Sequence, residues 1–182
     1  MRPTFIAEVK TMSPFGFRSG RTWDDLFSLA DSVGDVISIH TDPLWGGSFD
    51  LIRKANVLTK KPILAKGIHA TDEEVQEAIR AGATYVLVVG RWPMVNSIQC
   101  WIEPLTVREM RGYDPAATMV WNSRDLTTGG RKMETFDDAR AAWDGRLIQA
   151  SYIAAVGDVH PEADGFIVGE HLEKSAPLED KK

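Results

Sequence analysis

Eight short runs of β-branched, aromatic and aliphatic residues recur along this 182-residue chain, and that rhythm constrains the fold most. They lie at Phe5–Lys10, Val36–His40, Pro62–Gly67, Tyr85–Val89, Cys100–Leu105, Thr118–Ser123, Arg146–Ser151 and Gly165–Gly169. Each is bounded by Gly, Pro, Asp or Ser, which marks a strand between turns. Several are almost continuously apolar, as parallel strands are when both faces are covered.

Helical patterns fill the intervals. Thr22 can cap a helix with Leu26, Phe27, Leu29, Ala30 and Val33 on one face, and Ser48 a second with Leu51, Ile52 and Ala55 inward. Thr71 and Glu74 have the spacing of a capping box, Val75, Ala78 and Ile79 form the stripe, and Gly82 stops the helix. A fourth helix follows Thr135, and a short one follows Gly169. Alternating strands and helices build a parallel sheet through right-handed crossovers. Eight of them predict a closed (β/α)8 TIM barrel spanning 1–175, with 176–182 as a flexible tail; the alternative is an open doubly wound sheet. Such barrels usually run to ~250 residues. Only Gly90–Gln99 and Thr106–Ala117 separate strands four, five and six, and a parallel crossover normally takes about a dozen residues or more. A minimal barrel with trimmed or missing helices around strands 4–6 is therefore expected. Its sheet would be poorly covered near the fifth strand, giving modest thermal stability or a homodimer through that side.

Composition removes several functional classes. With 21 basic and 26 acidic residues the net charge is −5, which argues against a nucleic-acid partner. No run reaches the ~20 apolar residues of a membrane helix. The start has no long apolar stretch, so no secretory signal is expected. One cysteine, Cys100, excludes an internal disulfide and fits a reducing compartment, so the expected location is cytoplasmic.

In such a barrel, chemistry gathers at the C-terminal strand ends. Glu8 and Lys10 there share one side of the first strand. Ser38, Lys66, Glu103, Asn122, Ser151 and Gly169 end other strands. Charges within buried strands are costly unless paired or functional, so four converging on one mouth mark a candidate site.

These residues carry a resemblance. FIAEVKTMSPFG resembles the first-strand signature of the indole-3-glycerol-phosphate synthase family, Glu-x-Lys then Ser-Pro-x-Gly, at Glu8, Lys10, Ser13, Pro14 and Gly16. ISIHTDPLWGGS is similar to the second strand and its aromatic-Gly-Ser loop, with Ser38, Trp45, Gly47 and Ser48. PILAKG supplies Lys66, RAGATYVLVV the fourth strand with Leu87, and IEPL Glu103. WNSRDL resembles Asn-x-Arg-Asp-Leu, giving Asn122, Arg124 and Asp125, and GFIVGEHL the last strand, with Gly169. The likeness runs in order over about residues 5 to 175.

It implies decarboxylating ring closure of 1-(2-carboxyphenylamino)-1-deoxyribulose 5-phosphate, without metal or organic cofactor, with this phosphorylated small molecule as partner. It further implies Lys66 as general acid, Glu103 as general base and Lys10 as electrostatic support. Glu8 and Asn122 would position groups. Ser13, Ser38, Trp45, Leu87 and Arg124 would bind substrate, with Ser151 and Gly169 around its phosphate. An apolar wall of Trp45, Leu87 and Ile68 would take the aromatic ring.

Departures accompany the likeness. Gly67-Ile68 stands where the family has Asp-Phe, and Ala150-Ser151-Tyr152 where it has Glu-Ser-Gly. The family's helical segment before the first strand is expected to be lacking. A second reading is therefore a phosphate-binding relative serving as a binding or assembly module. A third is the neighbouring phosphoribosylanthranilate isomerase type, but that relies on a cysteine and an aspartate, and Cys100 is on the wrong strand. His40, His69, His160 and His171 lack metal-ligand spacing and read as surface or supporting imidazoles. Cys100 reads as packing, and Thr127–Lys132 as a loop without phosphate-loop spacing.

Overall fold

The computed structural model describes residues 2–175; the predicted tail, 176–182, lies outside the described residues. Eight parallel strands close in sequence order: β1 Thr4–Val9, β2 Val36–His40, β3 Ile63–Lys66, β4 Tyr85–Val89, β5 Cys100–Glu103, β6 Thr118–Asn122, β7 Leu147–Ala150 and β8 Gly165–Val168. β8 pairs back onto β1, so this is a (β/α)8 barrel and not an open doubly wound sheet. Every expected strand forms, although several end one or two residues early. Leu105 is on the exposed chain after β5, and Ser151 is already beyond β7.

The ring splits each strand's side chains between two cores. Inside lie Ile6, Val36, Leu64, Leu87, Trp101, Val120, Ile148, Ala150 and Ile167. Outside, Ala7, Ile37, Ile39, Ala65, Val86, Ile102 and Met119 pack with the helices. Three full helices cover one side: α1 Trp23–Val33, α2 Phe49–Leu58 and α3 Asp72–Arg80. Thr22, Ser48 and Thr71 cap them as expected, each accepting a backbone N–H at the third helical position.

The other side is reduced. A single 3-10 turn, Ser97–Gln99, joins β4 to β5, and a one-turn helix, α4 Val107–Met110, precedes β6. A proper helix returns as α5 Phe136–Ala142. The trimming extends further than expected, because β7 and β8 are joined only by the turn Val156–Asp158. A short helix, α6 Leu172–Ser175, ends the described chain. Aromatic side chains stand in for the missing helix beside β5: the Trp92 and Tyr113 rings stack at 5.8 Å, and with Val95 and Val107 they pack onto the outer core. Met94 and Ile98 on the same connection stay exposed.

The α3 cap offers a direct check on this framework. Thr71 Oγ1 accepts from Glu74 N at 3.3 Å while a Glu74 carboxylate oxygen accepts from Thr71 N at 3.1 Å. Thr71→Ala is expected to cost about 1 kcal/mol, read as a lower urea midpoint at unchanged slope. An unmoved midpoint would mean that the cap does not hold the helix.

Candidate active site

The site follows from side-chain alternation. Two residues beyond the inner apolar layer, the inward position turns polar on five strands. Ile6 gives way to Glu8, Val36 to Ser38, Leu64 to Lys66, Trp101 to Glu103 and Val120 to Asn122. Register places Glu8 beside Ser38, His40 beside Lys66, Val89 beside Glu103, and Asn122 beside Ala150. A cavity opens above this ring, lined by Lys10, His40, Trp45, Lys66, Leu87, Glu103, Asn122, Arg124 and Ser151 among others. A second depression shares Lys10, Lys66, Arg124 and Ser151 with it and continues to Gly169 and Glu170.

Three hydrogen-bonded groups organise the mouth. The first centres on Glu8, which is 4% exposed. Its Oε1 accepts from Lys66 Nζ at 2.9 Å and from His40 Nε2. Burial alone would raise the Glu8 carboxyl, but Lys66, His40 and Lys10 outweigh it and hold the carboxyl well below its ordinary range. Burial also pushes His40 below its ordinary value, and the neighbouring Glu8 only partly opposes this. A neutral ring beside an ionised carboxylate must donate from Nε2, which leaves Nδ1 as an acceptor. That Nδ1 is buried with no hydrogen-bond partner among the described residues. The ring stacks on Trp45 at 5.9 Å, nearly parallel.

The second group centres on Glu103, which is 1% exposed. Its Oε1 accepts from Asn122 Nδ2 at 2.9 Å, and Asn122 Oδ1 accepts from Ser151 Oγ at 2.7 Å and from Arg124 N at 3.0 Å. Burial raises this carboxyl, and neither the Asn122 bond nor the charges of Lys66 and Lys132 cancel the effect. Lys132, itself lowered by burial, donates to Pro104 O at 3.3 Å and lies over the Trp121 ring. The two buried carboxyls are thus pushed in opposite directions, the arrangement that separates acid–base roles.

The third group is ionic. Lys10 Nζ donates to Glu170 Oε1 at 2.8 Å, and Arg124 Nη2 reaches the same oxygen at 3.4 Å. The Arg124 guanidinium lies over Tyr152 at 4.9 Å and Phe15 at 5.7 Å, which fixes its direction. Tyr152 takes a left-handed backbone, φ 57°, directly after Ser151 at φ 70°. Its ring turns towards Arg124 and Arg131, and its hydroxyl donates to Gly129 O at 3.3 Å.

Most expected site residues converge here: Glu8, Lys10, Trp45, Lys66, Leu87, Glu103, Asn122, Arg124, Ser151 and Gly169 all border the two depressions. Two sit elsewhere. Ser13 lies in the β1–α1 loop, where its Oγ accepts from Phe15 N and Phe17 N at 3.3 Å each, so it shapes the loop that presents Phe15. Ser38 lies in the floor, fully buried, its Oγ without a partner among the described residues. Gly169 borders the Glu8 carboxylate so closely that a Cβ there would fall on it. The sequence reads His40 as a surface or supporting imidazole, and the buried bond to Glu8 makes it supporting; Glu170 and Lys132 were not singled out. His40 was readable, being two residues beyond Ser38 on an inward face. Lys132 and Glu170 occupy connecting chain, where no periodicity assigns a direction. Among the described residues, no three His, Cys, Asp or Glu side chains gather to hold a metal ion, and no helix is long and apolar enough to cross a membrane.

No protein-family model matches the chain. Over 90 residues, 47% of this chain, it is 39% identical to the indole-3-glycerol phosphate synthase of Thermococcus kodakarensis. Over 86 residues, 46% of this chain, it is 30% identical to that of Sulfurisphaera tokodaii. These matches span 40% and 35% of the relatives' own lengths. Among solved structures, a 3-hexulose-6-phosphate synthase superposes with TM-score 0.65 at 16% identity, covering 94% of this chain and 99% of that one. KGPDC from Streptococcus mutans superposes with TM-score 0.64 at 14% identity, covering 97% and 92%. Identities this low speak for the shared barrel alone.

The buried imidazole generates a test of this geometry. The folded His40 ring takes its proton at a lower pH than the unfolded ring, whose ordinary value is 6.5. Below that value the unfolded chain binds the extra proton first, so stability falls as pH falls towards the folded value. His69, also buried and lowered, adds a slope of the same sign. Glu8, held low, loses its contribution only at more acid pH, below the ordinary carboxyl value of 4.5. Urea unfolding of wild type and His40→Gln between pH 7.5 and 5 is expected to give a shallower loss for the variant. Parallel curves would show that His40 is not held neutral.

Proposed function

We propose that this mouth performs the indole-3-glycerol-phosphate synthase reaction, converting 1-(2-carboxyphenylamino)-1-deoxyribulose 5-phosphate to indole-3-glycerol phosphate, carbon dioxide and water. The observation that carries the reading is the pairing of Lys66, anchored by an ionised Glu8, with a buried Glu103 whose carboxyl is pushed upwards in the same cavity. The two partial matches to synthases of that name support it.

In this reading Lys66 protonates the substrate carbonyl oxygen as the new carbon–carbon bond forms, carbon dioxide then leaves the ring carbon, and Lys66, reprotonated from solvent, protonates the hydroxyl that departs as water. Glu103 takes the carbon-bound proton released as water is eliminated and the new ring becomes aromatic. Its upward shift brings it towards neutral pH, where a general base is most effective. Glu8 aims the Lys66 ammonium, and Asn122 orients Glu103. Lys10 and Arg124 face the substrate's anionic groups, with Ser151 and Gly169 beside them. Leu87, Ile68 and Trp45 give the aromatic ring an apolar wall. A second reading, a barrel that binds without turnover, is favoured by Ala150, which leaves an inward position beside Asn122 with no polar group.

Turnover followed by indole fluorescence separates the two. Wild type is expected to form product, and Lys66→Ala to lose about 10²-fold or more in kcat. Binding by both proteins with turnover by neither would favour the second reading. The pH profile tests Glu103 separately: kcat/KM of wild type is expected to fall on the acid side through an apparent value above the ordinary 4.5. That limb should vanish in the residual activity of Glu103→Gln. If it persists, another group is the base.

A further inference from the structure

The cation pair at the mouth already holds an anion, and it belongs to the protein. Glu170 is the first residue after Gly169, at the end of β8. Its carboxylate accepts from Lys10 Nζ at 2.8 Å and contacts Arg124 Nη2 at 3.4 and 3.5 Å. The cations sit just beyond the ends of β1 and β6, far apart in sequence, and both contact this carboxylate. Neither is a free surface charge: the side chains of Lys10 and Arg124 are 10% and 16% exposed, and that of Glu170 24%. Arg124 is further fixed between two rings.

We propose that Glu170 is a built-in counter-anion that occupies the Lys10–Arg124 site when no ligand is bound, so that a phosphate or a phosphate monoester enters only by displacing it. Two converging cations suit a dianion, and the guanidinium can meet it with two donors. Glu170 carries a single negative charge, and the Arg124 guanidinium is held by the Phe15 and Tyr152 rings it lies over. A site filled by an internal competitor binds its ligand with an affinity reduced by the fraction of time it stands open. The same contact holds two like charges together in the empty protein, which would otherwise repel. Glu170 thereby sets how much anion is needed before the pocket fills. This rests on the mouth being an anion site, as in the proposed function, but not on ring closure itself.

Calorimetric titration with inorganic phosphate at low ionic strength tests it, on wild type, Glu170→Gln and Glu170→Asp, with thermal melts to establish folding. Glu170→Gln keeps the size of the side chain and removes the charge. It is expected to bind phosphate about tenfold more tightly or better, as when a site closed nine parts in ten is opened. Glu170→Asp, which keeps the charge one methylene further back, should fall between. Adding Arg124→Gln to Glu170→Gln should abolish the gain. Unchanged or weaker phosphate binding in folded Glu170→Gln would overturn the proposal, as would a gain that survives Arg124→Gln. Should Glu170→Gln fail to fold, Glu170→Asp decides alone: affinity at or below wild type overturns the proposal. A phosphate gain in a protein that does not turn over would sink the ring-closure reading and leave Glu170 in place. Turnover without a gain would do the reverse.

Discussion

A closed ring of eight parallel strands must accept every second side chain of each strand inside it, and the rest of the molecule answers to that condition. The interior is narrow enough to be filled by one apolar layer from Ile6 to Ile167. Above it the next inward positions cannot reach the outer core, nor can they leave the mouth. Charged residues placed there are forced into contact with one another. Isolated, each would be expensive to bury. Together they form a network in which Glu8 serves Lys66 and His40 at once and Asn122 links Glu103 to Ser151. The apolar layer beneath supplies a rigid floor and the low-dielectric surroundings that give these pairings their strength.

Reduction of the outer shell leaves this inner arrangement intact. Strand pairing and the interior layer close the ring without help from helices, so the connections around β5 and between β7 and β8 can shrink to single turns. What the outer face then requires is cover for apolar strand residues, and stacked rings such as Trp92 and Tyr113 provide some of it with few residues. The chain can thus fall well below the usual barrel length while keeping eight strand ends around one mouth.

The legible parts of the sequence were those with a period or a fixed spacing. Eight apolar runs gave eight strands, and Thr22, Ser48 and Thr71 started helices because a cap and its third-position partner stand at a set distance. Polar residues closing apolar strands marked the mouth, and Lys66 and Glu103 could be picked out because each interrupts such a run. Three features were hidden. The loss of the helix between β7 and β8 left no signal, since a short polar loop and a short helix look alike there. His40 read as a surface or supporting imidazole, and only inward parity traced from Val36 through Ser38 places it in the mouth. Glu170 could not be read at all, because its partners Lys10 and Arg124 lie 160 and 46 residues away.

Charge pairing around the mouth singles out one group. Glu8 meets Lys66, and Glu170 meets Lys10 and Arg124, so each of these carboxylates has a cation at hydrogen-bond range. Glu103 differs. Its hydrogen-bond partner is the neutral amide of Asn122, while Lys66 and Lys132 act on it only through space. An amide donor orients a carboxylate without cancelling its charge, and burial then governs its affinity for a proton. A carboxyl held in place, kept from water and left without a direct counter-cation is suited to taking up a proton and giving it back. The direct cation Lys66 is committed to Glu8, whose low carboxyl range keeps it from competing for that proton. The contrast between the two buried acids is therefore set by which strand carries lysine and which carries asparagine, Lys66 on β3 beside Glu8 and Asn122 on β6 beside Glu103.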